Sequence, residues 1–242
     1  MAEPILELEN IEKVYGTKIR TKVLHGVSLK FAPHSFNAII GQSGSGKSTL
    51  MNIMGTLDVP TNGSVTIKGV PTGTMNKKAL ANLRNETIGF VFQYHYLLPE
   101  FTAKENILMP YRIRKAKVPK DVEAYAEELM DVVGISEVAN NPASEMSGGQ
   151  QQRTAIARAL LNKPSVVLAD EPTGSLDSRT TDKVYDLLRK INQTYGTTFI
   201  VITHDRRVAE KADRIIQLED GNIQMDVSTQ QGGTSDESAR NQ

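Results

Sequence analysis

Apolar and polar residues alternate from Ile5 to Leu8, the period-two pattern of a half-buried strand, and Val23 to Phe31 mixes them in a similar way. A loop around residues 16–21 separates the two stretches. The short apolar run Ala38-Ile39-Ile40 then gives way to a glycine-rich turn and a helix-favouring run, Lys47 to Met54. Pro60-Thr-Asn-Gly63 marks a turn before a short strand, Ser64 to Ile67, and Thr87 to Phe92 reads as a strand that delivers Gln93 at its end. From about Ala103 to Leu161 the spacing is helical, most clearly over Lys120 to Val133, with Pro119 at its start and Gly134 at its stop. Beyond it, the strand patterns Val166 to Ala169, Thr198 to Ile202 and Arg214 to Leu218 alternate with helical ones over Arg179 to Asn192 and Arg206 to Ala212. That alternation predicts an α/β fold, a parallel sheet covered by helices, with the helical middle as an insertion. No internal repeat interrupts it. Residues 228–242 are rich in Ser, Gln and Gly with almost no aliphatic side chains, so a disordered or linker-like tail is expected there.

Composition narrows this picture only a little. The 242 residues suffice for one large or two small domains. Lys plus Arg and Asp plus Glu both number 28, so no global basic field argues for nucleic acid as a partner. Without cysteine there can be no disulfide, and a reducing compartment is permitted. The opening Met-Ala-Glu-Pro-Ile-Leu-Glu lacks the basic and apolar regions of a secretory signal. Nowhere do apolar residues run long enough for a membrane span, so direct insertion into a bilayer is not expected.

Chemistry enters with the turn Gly41-Gln42-Ser43-Gly44-Ser45-Gly46-Lys47-Ser48, followed by Thr49. It has the spacing of a phosphate-binding loop and sits where a strand turns into a helix, the context such a loop requires. Glycines let successive N–H groups point inward at phosphate oxygens, and the helix N-terminus adds partial positive charge behind them. Lys47 would reach the β- and γ-phosphates and the Ser48 hydroxyl would ligate magnesium. Downstream, the buried-strand run Val166-Val-Leu-Ala-Asp170 ends in a carboxylate at the carboxyl edge of the sheet, suited to holding Mg2+. Glu171 follows it, a candidate to polarise an attacking water, a general-base role worth ~10² to 10⁴-fold in rate. Taken alone, the pair could merely cap the turn Pro172-Thr-Gly174; the upstream loop favours the chemical role.

His204 ends the strand Thr198 to Ile202 and so belongs to the same sheet edge, within reach of a γ-phosphate. Gln93 occupies a comparable strand end and could sense magnesium or the nucleophilic water. Tyr15 is a candidate platform for an adenine ring, with a packed aromatic as the alternative. A second glycine turn, Met146-Ser147-Gly148-Gly149-Gln150, opens another helix, Gln150 to Leu161, with Ser147 suited to the N-cap. Its exposed N–H groups make a further anion site.

With these residues in order, the chain resembles the nucleotide-binding subunits of ATP-binding cassette transporters over about residues 5–226. The phosphate loop, Gln93, the signature Ser147-Gly148-Gly149-Gln150, Asp170 with Glu171, the loop Ser175-Leu176-Asp177 and His204 follow that family's order and spacing. The departure is Met146, where leucine is commoner; the two are similar in volume, so little functional cost is expected. The resemblance implies a P-loop NTPase core of RecA-like type with an N-terminal antiparallel β subdomain, and an ATPase domain over residues 1–227 with a helical subdomain inserted at about 94–160. It implies ATP and Mg2+ as cofactors, with Tyr15, residues 41–49, Ser147 to Gln150 and Asp177 on the nucleotide. Ser48, Gln93 and Asp170 would be on the metal, and Glu171, His204 and Gln93 in catalysis. It also implies a head-to-tail dimer in which each ATP is held between one copy's phosphate loop and the other's signature helix. The place implied is peripheral, on the cytoplasmic side of a bacterial inner membrane, beside permease subunits.

Within the family, Gln93 to Asn106, Ser147 to Arg153 and Asp170 to Gly174 look most like bacterial cassettes of the lipoprotein-release and macrolide-export type. Tyr94, His95, Tyr96, Leu97, Leu98 and Phe101 are a candidate docking surface for a permease, or else core between subdomains. A soluble cassette ATPase of translation or DNA repair is the alternative. Repair cassettes carry a long coiled coil for which Ser48 to Ser147 leaves no room, and translation cassettes usually come in pairs. A P-loop kinase would explain only the first motif.

Overall fold

In the structure, a computed structural model, residues 3–115, 117–174, 178–205 and 209–229 are described. Two sheets organise them. The first is antiparallel, in the order β2 (Thr21–Phe31), β1 (Leu6–Tyr15), β4 (Asn62–Ile67), β5 (Val70–Pro71). The second has the order β10 (Asn222–Ser228), β9 (Arg214–Glu219), β3 (Phe36–Ile40), β8 (Thr198–Ile202), β7 (Val166–Asp170), β6 (Ile88–Phe92). All its pairings are parallel except β10 with β9.

The central strands are predominantly apolar because they are buried on both faces, with Asn37 of β3 and Thr198 of β8 as buried polar exceptions. Val166 and Leu168 of β7, with Ile200 and Ile202 of β8, join a core shared with β1, β2 and α1 (Lys47–Met54). Val167 and Ala169, with Phe199 and Val201, join a second core under α3 (Ala103–Arg112), α4 (Lys120–Val133), α5 (Gly148–Leu160) and α6 (Ser178–Tyr195). The one-residue alternation along each strand thus assigns the antiparallel sheet to one face and the helices to the other.

The antiparallel subdomain and the helical block between β6 and β7 match the architecture that the resemblance implied. Three details differ from the sequence reading. Thr87 closes a helix, α2 (Lys77–Thr87), which Asn76 caps and whose other residues stay outside the buried core; β6 begins at Ile88. The signature helix starts at Gly148 rather than Gln150. β10 extends the chain's ordered pairing through Ser228, the first residue assigned to the tail. The helix expected from Arg206 falls partly on residues 206–208, outside the described residues, as do Ser175, Leu176, Asp177 and the tail beyond residue 229. No helix among the described residues is long and apolar enough to cross a membrane.

Candidate functional site

Strand register places the chemistry. Phe92 of β6 pairs with Asp170 of β7, and Asp170 with Ile202 of β8, so three strands end level. The residues that follow, Gln93, Glu171 and Thr203-His204, must emerge on one edge. Ile39 of β3 pairs with Ile202, which brings the Gly41 turn to the same edge. There Gln93, Glu171 and His204 line a cavity of about 550 Å3 with Val23, Gly41, Ser43, Gly44, Gly46, Lys47, Ser48, Thr49 and Asp170. Val23 carries no polar chemistry and was not a candidate from sequence.

The phosphate loop owes its shape to two different uses of glycine. Gly46 caps α1 with φ of 101°, a left-handed conformation that a side chain resists. Gly41 is instead needed for proximity: a Cβ there would lie 2.1 Å from the Leu218 carbonyl oxygen of β9. Lys47 is only 8% exposed, and its ammonium donates to the carbonyls of Gly41 (2.8 Å) and Gln42 (2.7 Å), with Ser45 Oγ at 3.5 Å. Burial pulls that ammonium below its ordinary pKa, while Glu171 and Asp170 pull the other way.

Ser48 Oγ donates to Asp170 Oδ2 at 3.4 Å across the loop. Burial, and then the adjacent Glu171 charge, push the Asp170 carboxyl above its ordinary value against the opposing Ser48 and Lys47. Two hard oxygen donors at this spacing suit magnesium, which takes few protein ligands and fills its octahedron with phosphate and water. Among the described residues no three His, Cys, Asp or Glu side chains cluster as an all-protein cage.

Glu171 sits in a left-handed conformation with φ of 43°, fixed by its own N–H donating to Ile202 O (2.9 Å) and its carbonyl accepting from Gly174 (3.0 Å). Such strain in a non-glycine residue costs ~1 to 3 kcal/mol and is held only where surrounding structure dictates it. His204 Nδ1 lies 3.0 Å from Glu171 Oε1. With Nδ1 protonated the ring donates to the carboxylate and keeps Nε2 for another partner.

Tyr15 sits at the margin. Its ring is 41% exposed and stands 4.8 Å from the Lys13 ammonium, and its hydroxyl donates to Asp58 at 2.6 Å. Burial, then that bond, raises its hydroxyl pKa, opposed by a bond with Thr49, which ties Tyr15 to a residue of the cavity wall.

Ser147 is the N-cap of α5 and forms a capping box with Gln150: Gln150 N–H donates to Ser147 Oγ (3.3 Å) and Ser147 N–H to Gln150 Oε1 (2.9 Å). Met146, 6% exposed, anchors the turn in the helical core. The helix start leaves Gly148 and Gly149 N–H groups without intrahelical acceptors. None of Ser147 to Gln150 lines the Lys47 cavity. The segment after Gln93 divides: Tyr94, Tyr96 and Leu98 are 73%, 63% and 42% exposed, whereas His95 is buried and Leu97 packs on the core. The buried part fits the reading as core between subdomains, Phe101 is half-buried, and the exposed Tyr94, Tyr96 and Leu98 are the residues left for a docking surface.

Comparison with known proteins agrees with this geometry. Residues 24–174 match a family described as "ABC transporter". The chain is 50% identical over 221 residues to the lipoprotein-releasing system ATP-binding protein LolD 1 of Rhodopseudomonas palustris, covering 90% of this chain and 98% of that protein. It is 46% identical over 234 residues to LolD of Anaeromyxobacter dehalogenans, covering 96% and 98%. Among solved structures, a dimeric ATP-binding cassette in a post-hydrolysis state with ADP and phosphate superposes with a TM-score of 0.85 at 40% identity, covering 93% of this chain and 98% of that one. The cassette cbiO1 of Clostridium perfringens gives 0.84 at 26% identity, covering 94% and 90%.

Proposed function

The chain belongs to the ABC transporter family, and from that premise we propose that it hydrolyses ATP in a head-to-tail dimer to drive a membrane permease of the lipoprotein-releasing type. One observation carries the arrangement: the Lys47 cavity gathers Gln93, Asp170, Glu171 and His204 but none of Ser147 to Gln150. An anion site at the start of α5 that its own phosphate loop cannot use is the half a second copy would supply.

In this reading the loop N–H groups and Lys47 hold the triphosphate, and Ser48 and Asp170 hold Mg2+ with Gln93 at its margin. The ion, when bound, screens the β- and γ-phosphate charge. Glu171 takes the proton of the attacking water, and His204, braced on Glu171, hydrogen-bonds the γ-phosphate. Tyr15 stacks on adenine. Asp177, outside the described residues, is proposed for the nucleotide by the family pattern alone. Tyr94, Tyr96 and Leu98 offer the permease an aromatic and aliphatic face. The protein works peripherally, on the cytoplasmic face of the membrane. The names of the relatives extend the proposal to lipoprotein release as the task performed.

The test is Glu171→Gln. It should keep ATP binding, lose turnover and accumulate an ATP-bound dimer on size-exclusion chromatography with light scattering; hydrolysis at the parental rate would remove Glu171 from its role. Purification from detergent-solubilised membranes should bring down a partner with transmembrane helices, whereas ribosomes or DNA would favour the translation or repair alternative.

A further inference from the structure

Helix α5 carries the signature turn at one end and, about three turns on, Arg158. The guanidinium leaves the helix to clamp the loop after Gln93: Nη1 donates to the Tyr96 carbonyl (2.6 Å) and Nη2 to the His95 carbonyl (2.5 Å). Arg158 makes no ion pair among the described residues, so two carbonyl dipoles are what compensate its charge. The loop it grips is unusual. His95 and Tyr96 are both left-handed, with φ of 62° and 46°, although neither is glycine. Two consecutive left-handed residues that are not glycine store strain, and the Arg158 fork adds to the local bonds from His95 N–H to Phe92 O (3.1 Å) and from Tyr96 N–H to Tyr94 O (2.6 Å) in holding them.

A second observation lies beneath the clamp. Gln152, one turn into α5, is 0% exposed and its amide faces the His95 ring. Yet Gln152 Nε2, Gln152 Oε1 and His95 Nδ1 are all buried without a hydrogen-bond partner. Unpaired buried polar atoms are rare enough to require an explanation. The amide and the ring already approach one another, so a small shift of α5 against the loop is enough to make or break their hydrogen bond.

We propose that Arg158 is a positioning residue that makes the loop after Gln93 follow the signature helix. When a second copy's nucleotide engages Ser147 to Gln150, the shift of α5 is passed through the guanidinium fork to His95 and Tyr96. It thereby reaches Gln93 on one side and the exposed Tyr94, Tyr96 and Leu98 on the other. The inference rests on the dimeric ATPase reading above. It adds the physical link by which nucleotide capture at one end of α5 changes both the catalytic glutamine and the permease-facing surface.

The chain has no tryptophan, so Tyr94→Trp installs a single emission reporter on the loop. In that background Mg-ATP should shift the Trp emission, and Arg158→Ala should abolish the shift. Arg158→Ala should also lower kcat about tenfold while KM for ATP stays within about twofold, a coupling loss rather than a binding loss. Arg158→Lys, a point charge able to satisfy one carbonyl at a time, should fall between the two. Rates are referred to folded protein by circular dichroism; if Arg158→Ala does not fold, Arg158→Lys carries the same comparison. The proposal is overturned by no Mg-ATP shift in the reporter protein, by a shift that survives both Arg158 variants, by parental kcat in both, or by a change confined to KM. Glu171→Gln in the same background separates the two levels. Its turnover at the parental rate sinks the ATPase assignment itself, whereas an inactive Glu171→Gln beside fully active Arg158 variants sinks only the link.

Discussion

Gly174→Ala tests whether hydrolysis depends on where Gln93 is held. A Cβ built on Gly174 would lie 2.7 Å from Gln93 Nε2, 3.1 Å from Cδ and 3.3 Å from Cγ. Ordinary contact is ~3.5 Å, so the amide must withdraw by about 0.8 Å. Nothing else resists the methyl strongly: Gly174 is exposed, its φ lies outside the left-handed region, and the obstructing atoms are the end of a flexible side chain. Misplacing a catalytic group by ~1 Å costs on the order of a hundredfold in rate. The expected loss in kcat is therefore about thirty- to a hundredfold, or roughly 2 to 2.7 kcal/mol of transition-state stabilisation. KM for ATP should stay within about twofold, because the loop that binds phosphate is untouched. The melting temperature should hold or rise, since replacing glycine where alanine fits stabilises by ~0.4 to 1 kcal/mol. Phosphate-release kinetics and thermal unfolding on the same preparation measure all three. The double variant with Gln93→Ala decides the cause: if Gly174→Ala acts through Gln93, the pair should be no slower than Gln93→Ala alone. Additive losses, or a Gly174→Ala enzyme at the parental rate, would refute the reasoning.

Three further outcomes follow from the same geometry. Ser147→Asp should preserve the α5 cap, since Asp caps as well as Ser, and move the melting temperature by no more than about 2 °C; placed against a triphosphate, its charge should abolish the ATP-bound dimer trapped by Glu171→Gln, as light scattering would report. Tyr15→Ala should raise KM for ATP about five- to tenfold at constant kcat, from ~1 kcal/mol or more of lost stacking, whereas Tyr15→Phe should behave as the parent because it keeps the ring and loses only the hydroxyl's bonds to Asp58 and Thr49. The Asp170 carboxyl sits above its ordinary pKa through burial and the Glu171 charge, so ionising it costs folding stability as pH rises through the folded value. Asp170→Asn should then melt higher than the parent near pH 7.5 and lose that advantage at about pH 2.5, well below the ordinary Asp value of ~3.9, where the carboxyl is protonated in both folded and unfolded states, while being inactive at every pH; a lower melting temperature near pH 7.5 would contradict the assigned cause.

What could be read from the chain were the features determined locally. The phosphate loop, the Ser147 cap and the apolar strands ending in Asp170 and Thr203 each depend on neighbours a few residues away. Because β6, β7 and β8 are doubly buried, their continuous apolar runs also reveal where the sheet edge must be, and hence that Gln93, Glu171 and His204 converge. What stayed hidden depends on contacts distant in sequence. The need for glycine at position 41 comes from the Leu218 carbonyl across the sheet, and Val23 reaches the cavity only because the antiparallel sheet packs over it. Helix α2 escaped because it buries almost nothing, so its Leu80 and Leu83 read as scattered apolar residues; Asn76 was the available signal, an N-cap before a helix-favouring run. In β10 the spacing of Ile223, Met225 and Val227 was a period-two pattern that the polar tail beyond it obscured. The left-handed pair His95-Tyr96 left no trace in sequence, and the arginine that hydrogen-bonds both of its carbonyls lies about sixty residues on, in α5.

The same physics explains why the two anion sites sit apart in one chain. Helix α1 and helix α5 each present an N-terminus, equivalent to about half a positive charge, and α1 adds the Lys47 ammonium. Pressing two such ends together in water is unfavourable until a polyanion lies between them. A triphosphate meets that condition, and ADP and inorganic phosphate, once separated, meet it less well because the negative charge is no longer on one molecule. Closure of the dimer is then tied to the covalent state of the nucleotide rather than to protein contacts alone. The helix proposed to meet the triphosphate is also the one whose Arg158 holds the loop after Gln93. A charge difference of one phosphate group, read at Ser147, can in this way become a movement at Tyr94 and Tyr96, on the face available to a membrane partner.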